Sequence, residues 1–175
     1  MRSYRRLRFI RSLSNFSLFV IPFMLVSVFV NAQEIKVEAE SGTLTGTLTV
    51  AKAIAGYSGT GYVSHFQDAN DKLTLSVPIT TGGTYDIFVG YCAKDGTKTI
   101  NVSVNDIKSS LEIPQGNSKF NEVKFATLNL KAGSIPVVIT PNWTWFDIDY
   151  VRFVRVDPST GGFSISPAPV NPNAG

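Results

Sequence analysis

The chain has 175 residues, enough for one domain of ordinary size plus an additional segment. Its net charge of +3 reflects 16 basic and 13 acidic residues, but five arginines lie within the first eleven positions, leaving 11 basic against 13 acidic residues beyond them. Those 11 form no run that could follow a phosphate backbone, and a single cysteine cannot form an internal disulfide, so nucleic-acid binding and redox chemistry are disfavoured.

Residues 1–32 have the pattern of a secretory signal peptide. A basic stretch with five arginines precedes the apolar run 16–30, and residues 30–32 provide a cleavage site before Gln33. Ser17, Pro22 and Ser27 interrupt the apolar run, which favours a cleaved signal over a retained membrane anchor. We therefore expect cleavage after Ala32, a secreted extracellular protein, and no membrane contact after cleavage.

From Gln33 onward, short β-branched runs bounded by Gly, Asn, Asp or Pro predict an all-β domain, because no window keeps a helical period. Ten runs fill a two-sheet β-sandwich. The pairs Gly82-Gly83 and Asn105-Asp106 predict hairpin turns and mostly antiparallel pairing. Cys92, in an apolar strand, predicts a buried, inert thiol. The predicted strands are 35–40, 48–53, 61–65, 72–77, 84–92, 98–104, 108–113, 121–130, 135–140 and 147–156. Alternation predicts core positions at Leu73, Leu75, Val77, Tyr85, Ile87, Val89, Ile100, Val102 and Val104.

Two glutamates near the start of the domain form a candidate metal site. Glu38 and Glu40 would lie on one face of the first strand, and two like charges side by side favour a cation. Carboxylates and backbone carbonyls suit Ca²⁺. Asp149 would complete the site if the first and last strands meet. The alternative is a solvated acidic strand face.

The glycine-rich segment GYSGTGYV, residues 56–63, could suggest a phosphate-binding loop. Such a loop requires the start of a helix behind it, and the residues that follow have a strand pattern instead. The glycines therefore predict a tight turn that directs backbone carbonyls toward a ligand or an ion.

The segment NWTWFDIDYVRF, residues 142–153, combines two tryptophans with two carboxylates. On an extended backbone Trp143 and Trp145 face the same side, while Ile148, Tyr150 and Arg152 alternate with Asp147, Asp149 and Val151. Exposed aromatic rings beside acids predict a sugar platform. The alternatives are a structural jelly roll with both indoles in the core and both aspartates in water, or a small hydrolase that uses paired carboxylates.

Catalysis is less well supported than binding. His65 is the only histidine, with an expected role in structure or at the rim of a site, and zinc would lack its usual ligands. A hydrolase usually needs a larger scaffold than the roughly 140 residues beyond the signal. We therefore expect a domain, residues 33–156, without catalytic residues. Residues 157–175 are rich in Pro, Gly, Ser and Asn and predict a linker, which would lead to an absent C-terminal catalytic domain.

Four motifs in order, VEAESGTLTG, GYSGTGYV, TGGTYDIFVGY and the final W-x-x-IDYV, resemble carbohydrate-binding module family 35 and, more weakly, its sister family 6. The resemblance covers about residues 34–156. It implies a jelly-roll β-sandwich with a structural Ca²⁺ and a sugar site in loops at one end. It implies metal ligation by Glu38, Glu40 and Asp149, with carbonyls from 56–59.

The resemblance also implies which residues contact the sugar. Asp147 stands where relatives commonly have Asn, and Phe120 where they often have Trp, which leaves the ligand class open between mannan, xylan and uronic-acid sugars. The short tail SPAPVNPNAG is similar to the beginning of a family 26 β-mannanase domain, so β-mannan is the preferred ligand and such a hydrolase the expected partner in the same polypeptide. The implied sugar-binding residues are Tyr62, Tyr91, Phe120, Asn142, Trp143, Trp145 and Asp147.

Overall fold

The computed structural model of the protein describes residues 33–156, and the predicted signal peptide and linker lie outside them. The described residues form eleven strands and one 3₁₀ turn, Ala39–Ser41. The strands are β1 Glu34–Glu38, β2 Thr43–Thr45, β3 Thr49–Ala51, β4 Tyr62–Ser64, β5 Lys72–Ile79, β6 Gly83–Cys92, β7 Lys98–Val104, β8 Ile107–Ile113, β9 Asn121–Leu130, β10 Gly133–Pro141 and β11 Asp147–Arg155. Within these residues no helix is both long enough and apolar enough to cross a membrane.

The strands form two sheets packed into a jelly-roll β-sandwich. A six-stranded sheet has the order β3-β4-β11-β6-β9, with β1 also paired to β11, and a five-stranded sheet has the order β2-β5-β10-β7-β8. Every neighbouring pair is antiparallel. The predicted fold class is therefore confirmed.

Most connections between consecutive strands cross from one sheet to the other. Asn105 and Asp106 make the predicted hairpin between β7 and β8, with φ values of 47° and 67°. Gly82-Gly83 was wrongly predicted as a hairpin turn, because β5 and β6 belong to different sheets and Gly83 begins β6. The crossing allows successive amphipathic strands to cover both sides of one core.

The core lies between the sheets, and all nine positions predicted from alternation are buried in it. Cys92 is also buried, and burial followed by the charge of Asp147 raises the pKa of its thiol to about 11. The thiol is therefore protonated at neutral pH, as expected for an unreactive cysteine. The alternation failed in β11, where the pairing with β6 shifts register between Ile148 and Tyr150. The bulge leaves Ile148, Asp149 and Val151 all buried.

Five loops meet at one end of the sandwich, which we call the loop end: 46–48, 65–71, 93–97, 114–120 and 142–146. The strand registers bring them together, since β4, β6, β8 and β10 finish where β5, β7, β9 and β11 begin. The opposite end carries the hairpin 105–106 and the connections 80–82 and 131–132. The predicted sugar site therefore has a surface built from segments distant in sequence.

Candidate functional site

The loop 142–146 crosses the loop end from the five-stranded sheet to the six-stranded sheet. At the five-stranded sheet the Trp143 N–H donates to the Thr99 carbonyl at 2.8 Å. Next to the six-stranded sheet the Trp145 N–H donates to the Phe66 carbonyl at 2.8 Å. Phe146 is buried and stacks on Phe66 with ring centroids 4.4 Å apart. The two backbone bonds and the buried ring fix this loop on both sheets.

Both indoles project into solvent from this anchored loop. Trp143 is 64% exposed and Trp145 is 62% exposed, so the alternative in which both rings belong to the core is wrong. Trp145 has φ 72°, a left-handed conformation that is rare for a bulky residue and typical of functional loops. The expectation of an extended backbone here is also wrong, because residues 142–146 lie outside any strand.

A groove of about 320 Å³ lies beside Trp145. Burial raises the pKa of Asp147, although a hydrogen bond with Ser64 and the charges of His65 and Lys94 oppose that rise. The groove thus combines an exposed indole with carboxylate, hydroxyl, imidazole and amine groups, the set that reads sugar hydroxyls beside a stacked ring. Its lining is Ser64, His65, Gln67, Lys94, Asp95, Trp145, Phe146 and Asp147.

Three further aromatic residues pack together on the six-stranded sheet. Tyr62 lies 5.1 Å from Phe120 and 5.8 Å from Tyr57 between ring centroids. Tyr62 is 3% exposed, and its hydroxyl accepts a hydrogen bond from the Ile54 N–H at 3.2 Å. Tyr91, also 3% exposed, belongs to the core.

The structure corrects two of the predicted sugar contacts. Neither Tyr62 nor Tyr91 presents a ring face to solvent, because neighbouring rings cover the first and the core encloses the second. Phe120 is half-buried against Tyr62, whereas Asn142 is exposed next to Trp143. The structure therefore brings Trp145 and Asp147 together at one groove, with Asn142 and Trp143 at the other side of the same loop.

Asp71 stabilises the loops beneath this groove. Its buried carboxylate accepts backbone hydrogen bonds from Thr47, Gln67 and Asp68 at 2.6 to 2.8 Å. Burial raises the pKa of this carboxyl, but the hydrogen bonds outweigh burial, so the pKa lies below its ordinary value. Asp71 thus fixes the segment that carries His65 and Phe66, and sequence reasoning missed it because its short polar surroundings look like an ordinary turn.

The acids predicted as metal ligands converge on the loop 56–60. Asp149 accepts the Ser58 N–H at 3.0 Å, and Glu38 accepts the Ser58 hydroxyl at 2.6 Å. Glu40 accepts the Thr60 N–H at 2.6 Å through Oε1, while its buried Oε2 has no hydrogen-bond partner among residues 33–156. We call Glu38, Glu40 and Asp149 the carboxylate cluster.

Two features of the backbone bring this cluster together. The edge of β11 pairs with β1 from Tyr150 onward and with β4 at Ile148, so Asp149 lies at the bulge where the partner strand changes. The prediction that Glu38 and Glu40 share one strand face is wrong, because β1 ends at Glu38 and Glu40 belongs to the 3₁₀ turn. The alternative of an acidic strand face exposed to water is therefore wrong for Asp149 and for Glu40 Oε2, because both are buried.

The charges of the cluster are only partly balanced, since Lys36 Nζ lies 3.4 Å from Glu38 Oε1. Burial, and then the nearby charge of Glu38, raises the pKa of Asp149 to about 6, while bonds from Ser58 oppose the rise. All the donor atoms are hard oxygens of the kind that Ca²⁺ prefers. Among residues 33–156, however, no three acidic, His or Cys side chains already converge as a set of metal ligands. The Ser58 donors occupy the space between two of the carboxylates.

Comparison with known proteins identifies the class. Residues 35–156 match the carbohydrate binding module family 35, so the chain belongs to this family. A family 35 module from Clostridium thermocellum shares the fold, with a TM-score of 0.63 at 19% identity over 71% of this chain and all of that one.

Two relatives are larger enzymes. Mannan endo-1,4-beta-mannosidase B of Piromyces sp. is 29% identical over 163 residues, covering 90% of this chain and 28% of the relative. The GH26-CBM35 beta-(1,4)-mannanase of Podospora anserina is 34% identical with a TM-score of 0.67, covering 73% of this chain and 29% of that one. The chain therefore spans less than a third of the length of either enzyme.

Proposed function

We propose that the domain is a non-catalytic module that binds β-mannan of plant cell walls through the groove beside Trp145. One observation carries this proposal: a solvent-exposed indole, held in a left-handed conformation by a backbone bond to Phe66, stands next to the half-buried carboxylate of Asp147. Stacking of a pyranose face on the indole supplies affinity, and the polar lining selects the hydroxyl arrangement. The mannanase relatives support mannan as the ligand.

We further propose that the protein is secreted and that its module holds a mannanase catalytic domain close to the polysaccharide. The signal-like residues 1–32 and the linker-like residues 157–175 support this arrangement, as does the combination of module and enzyme in the Podospora anserina protein. Tethering raises the local concentration of the enzyme at its substrate without a new contact. Any hydrolysis then belongs to the catalytic domain.

The test is binding of the purified protein to insoluble mannan, with xylan, galactan and a polyuronate in parallel. Trp145→Ala should weaken mannan binding by at least about tenfold, because truncation of a central tryptophan typically costs 2 kcal/mol or more. Its melting temperature should change little. Ile107→Ala is the control, since Ile107 is 48% exposed at the opposite end and its variant should bind normally.

Other outcomes would contradict the proposal in different ways. Tighter binding to xylan or to the polyuronate would show that β-mannan is not the ligand. Release of reducing sugar by the domain alone would favour the alternative of a small hydrolase. Indole fluorescence that no oligosaccharide changes would favour a structural jelly roll.

We also propose that the carboxylate cluster binds a structural Ca²⁺ together with backbone carbonyls of residues 56–59. The unpartnered Oε2 of Glu40 and the repulsion between Glu38 and Asp149 support it. The ion would neutralise these charges, and its binding energy would add to folding stability. Ca²⁺ would replace the Ser58 donors as the partner of the carboxylates.

Removal of the metal tests this site. At a thousandfold excess of Ca²⁺ over Kd the ion would add about 4 kcal/mol to the free energy of unfolding, and chelator should remove that gain. Thermal melts in chelator and in CaCl₂ make the comparison. Identical melts would overturn the calcium assignment while leaving the sugar site unaffected.

A further inference from the structure

The outer face of the five-stranded sheet contains an open groove that the loop-end site does not use. It has a volume of about 440 Å³ and lies across β7, β8 and β10. A second hollow of about 390 Å³ lies on the other side of β10, lined in part by Thr43, Thr74 and Ser76. The side chains that line the first groove from the outer face include Asn101, Ser103, Lys108, Ser110, Val138 and Thr140.

The groove exists because short side chains occupy neighbouring positions of three strands. The registers place Thr140, Asn101 and Ser110 in one row across the sheet, and Val138, Ser103 and Lys108 in the next row. Since residues two apart on a strand share a face, both rows point outward together. Long side chains that would fill the space are absent from these rows except Lys108.

The outer face of the six-stranded sheet is covered by contrast. There the Lys36 ammonium lies 3.9 Å from the centroid of the Tyr150 ring, and the Arg152 guanidinium lies 4.6 Å from that of Phe88. Arg152 also pairs with Glu122. The middle of this outer face is therefore filled, and a hollow of about 340 Å³ beside Thr84, Asn129 and Arg155 lies instead at the end of the six-stranded sheet opposite the loop end.

The polar groups of the groove suit a neutral ligand with many hydroxyls. Asn101 is held by two hydrogen bonds: its Oδ1 accepts from the Ser110 hydroxyl at 3.1 Å, and its Nδ2 donates to the Pro141 carbonyl at 3.5 Å. An amide and several hydroxyls can donate and accept at once. A single lysine supplies too little charge for a polyanion.

The exposed Trp143 follows the end of β10 that borders this groove. Its backbone N–H bonds to the carbonyl of Thr99, and the Thr99 side chain shares the outward face of β7 with Asn101 and Ser103. From Val138 to Pro141, the end of β10, the strand extends about 10 Å at roughly 3.3 Å per residue, which accommodates a chain rather than one sugar ring. The groove beside Trp145 has the same arrangement of a ring and polar groups.

We propose that Trp143 and the groove over Asn101, Ser103, Ser110 and Thr140 form a second polysaccharide-binding site, separate from the groove beside Trp145. The neutral ligand class rests on the proposed function. Each tryptophan then serves one sheet: Trp145 the loop end of the six-stranded sheet, and Trp143 the outer face of the five-stranded sheet. Two sites on one small module would increase retention on a polymer by avidity.

The two tryptophans are the only ones in the chain, so each indole N–H is a separate reporter in a nitrogen-15 NMR spectrum. Trp143→Phe and Trp145→Phe assign the two signals. Titration with mannohexaose should shift both signals along separate binding curves. Ser110→Arg fills the groove and Asn101→Ala removes hydrogen bonds, so each should weaken the Trp143 curve by about fivefold or more. The Trp145 curve should stay within about twofold.

Ala132→Arg is the matched control, because it adds the same side chain at an exposed position of the opposite end and should leave both curves unchanged. Unchanged melting temperatures show that the variants fold. If only the Trp145 signal shifts, or if Ser110→Arg and Asn101→Ala leave the Trp143 curve unchanged, the second site is overturned and the proposed function stands. If only the Trp143 signal shifts, the loop-end site fails and the second site stands. If neither signal shifts with mannohexaose, both proposals fail.

Discussion

Asp71 and the carboxylate cluster, each with a buried aspartate, have opposite surroundings. Asp71 has three backbone N–H groups and the Thr47 hydroxyl directed at it. The carboxylate cluster shares the donors of Ser58 between Glu38 and Asp149 and leaves Oε2 of Glu40 without a partner. The pKa of Asp71 is lowered, whereas burial and Glu38 raise that of Asp149. A buried charge with all its hydrogen bonds stabilises the fold alone, whereas an incompletely paired group needs a further partner.

A glycine accompanies each of these sites. Gly46 has φ 82° and a Cβ there would meet the Asp71 carboxylate, while Gly59 has φ 65° and a Cβ there would meet Glu40 and Glu38. In both places the backbone approaches the carboxylates closely enough to exclude a side chain. Asp71 and the carboxylate cluster therefore differ in the number of hydrogen-bond donors that face them, and not in how closely the backbone approaches them.

Asp71→Ala should have the largest effect on stability. It leaves the N–H groups of Thr47, Gln67 and Asp68 without their acceptor, and each buried unsatisfied donor costs about 1–3 kcal/mol. Since three donors lose their acceptor, at about 2 kcal/mol each, we expect a loss of about 6 kcal/mol, equal in Ca²⁺ and in chelator, measured by urea unfolding. The segment that bonds Trp145 should also loosen, so mannan affinity should fall.

Asp68→Ala is the matched control for this prediction. Asp68 is exposed, and its carboxylate contacts only its neighbour Asn70 among the described hydrogen bonds. The loss should stay within about 0.5 kcal/mol, as for ordinary surface substitutions. A comparable loss in both variants would show that Asp71 has no special role.

Asp149→Asn should have a smaller effect that depends on the metal. In Ca²⁺ it should lose most of the gain of up to about 4 kcal/mol that ion binding provides. In chelator it should be at least as stable as the unchanged protein, because the neutral amide removes the repulsion by Glu38. Thermal melts in both conditions give this crossed pattern. An equal loss in both would place Asp149 with Asp71 as a purely structural group.

The sequence predicted the strands well and the details of these two sites poorly. Alternation identified the core of β5, β6 and β7, because each of those strands is regular and half-buried. It failed at Asp149, since a bulge interrupts the period, and at Glu40, since β1 ends two residues earlier than predicted. No local pattern marks a bulge or a change of partner strand, because both depend on which strands meet.

The candidate sugar site was likewise predicted only in part from the sequence. Exposure of Trp143 and Trp145 follows from a loop whose position depends on Phe66 and Thr99, which are distant in sequence. Tyr62 and Tyr91 stand in matching motif positions, yet the packing of Tyr57 and Phe120 and of the core covers their rings. A motif predicts where a residue lies along the chain, whereas neighbouring side chains decide whether a ligand reaches it.

Glu122→Gln should have the smallest effect and provides a third kind of carboxylate. Glu122 lies on the six-stranded sheet, where its Oε1 accepts from Arg152 Nε at 2.7 Å. The Arg152 hydrogen bond lowers the pKa of Glu122, with burial opposing it. The pair should therefore stabilise the protein above the ordinary glutamate pKa, and this contribution should be lost as the pH falls through the lowered value.

A partly exposed pair contributes at most about 1 kcal/mol, and salt reduces it further. Urea unfolding of the unchanged protein and of Glu122→Gln at pH 7 and at pH 3 measures the difference, which should shrink at the lower pH and be the same in Ca²⁺ and in chelator. Independence from the metal separates this pair from the carboxylate cluster, since Arg152 bonds directly to Glu122, whereas among the described ion pairs Lys36 reaches only Glu38 of the three cluster acids. A difference that appears only in Ca²⁺ would show that the metal stabilises the whole sheet, and the contrast between the two kinds of acid would be lost.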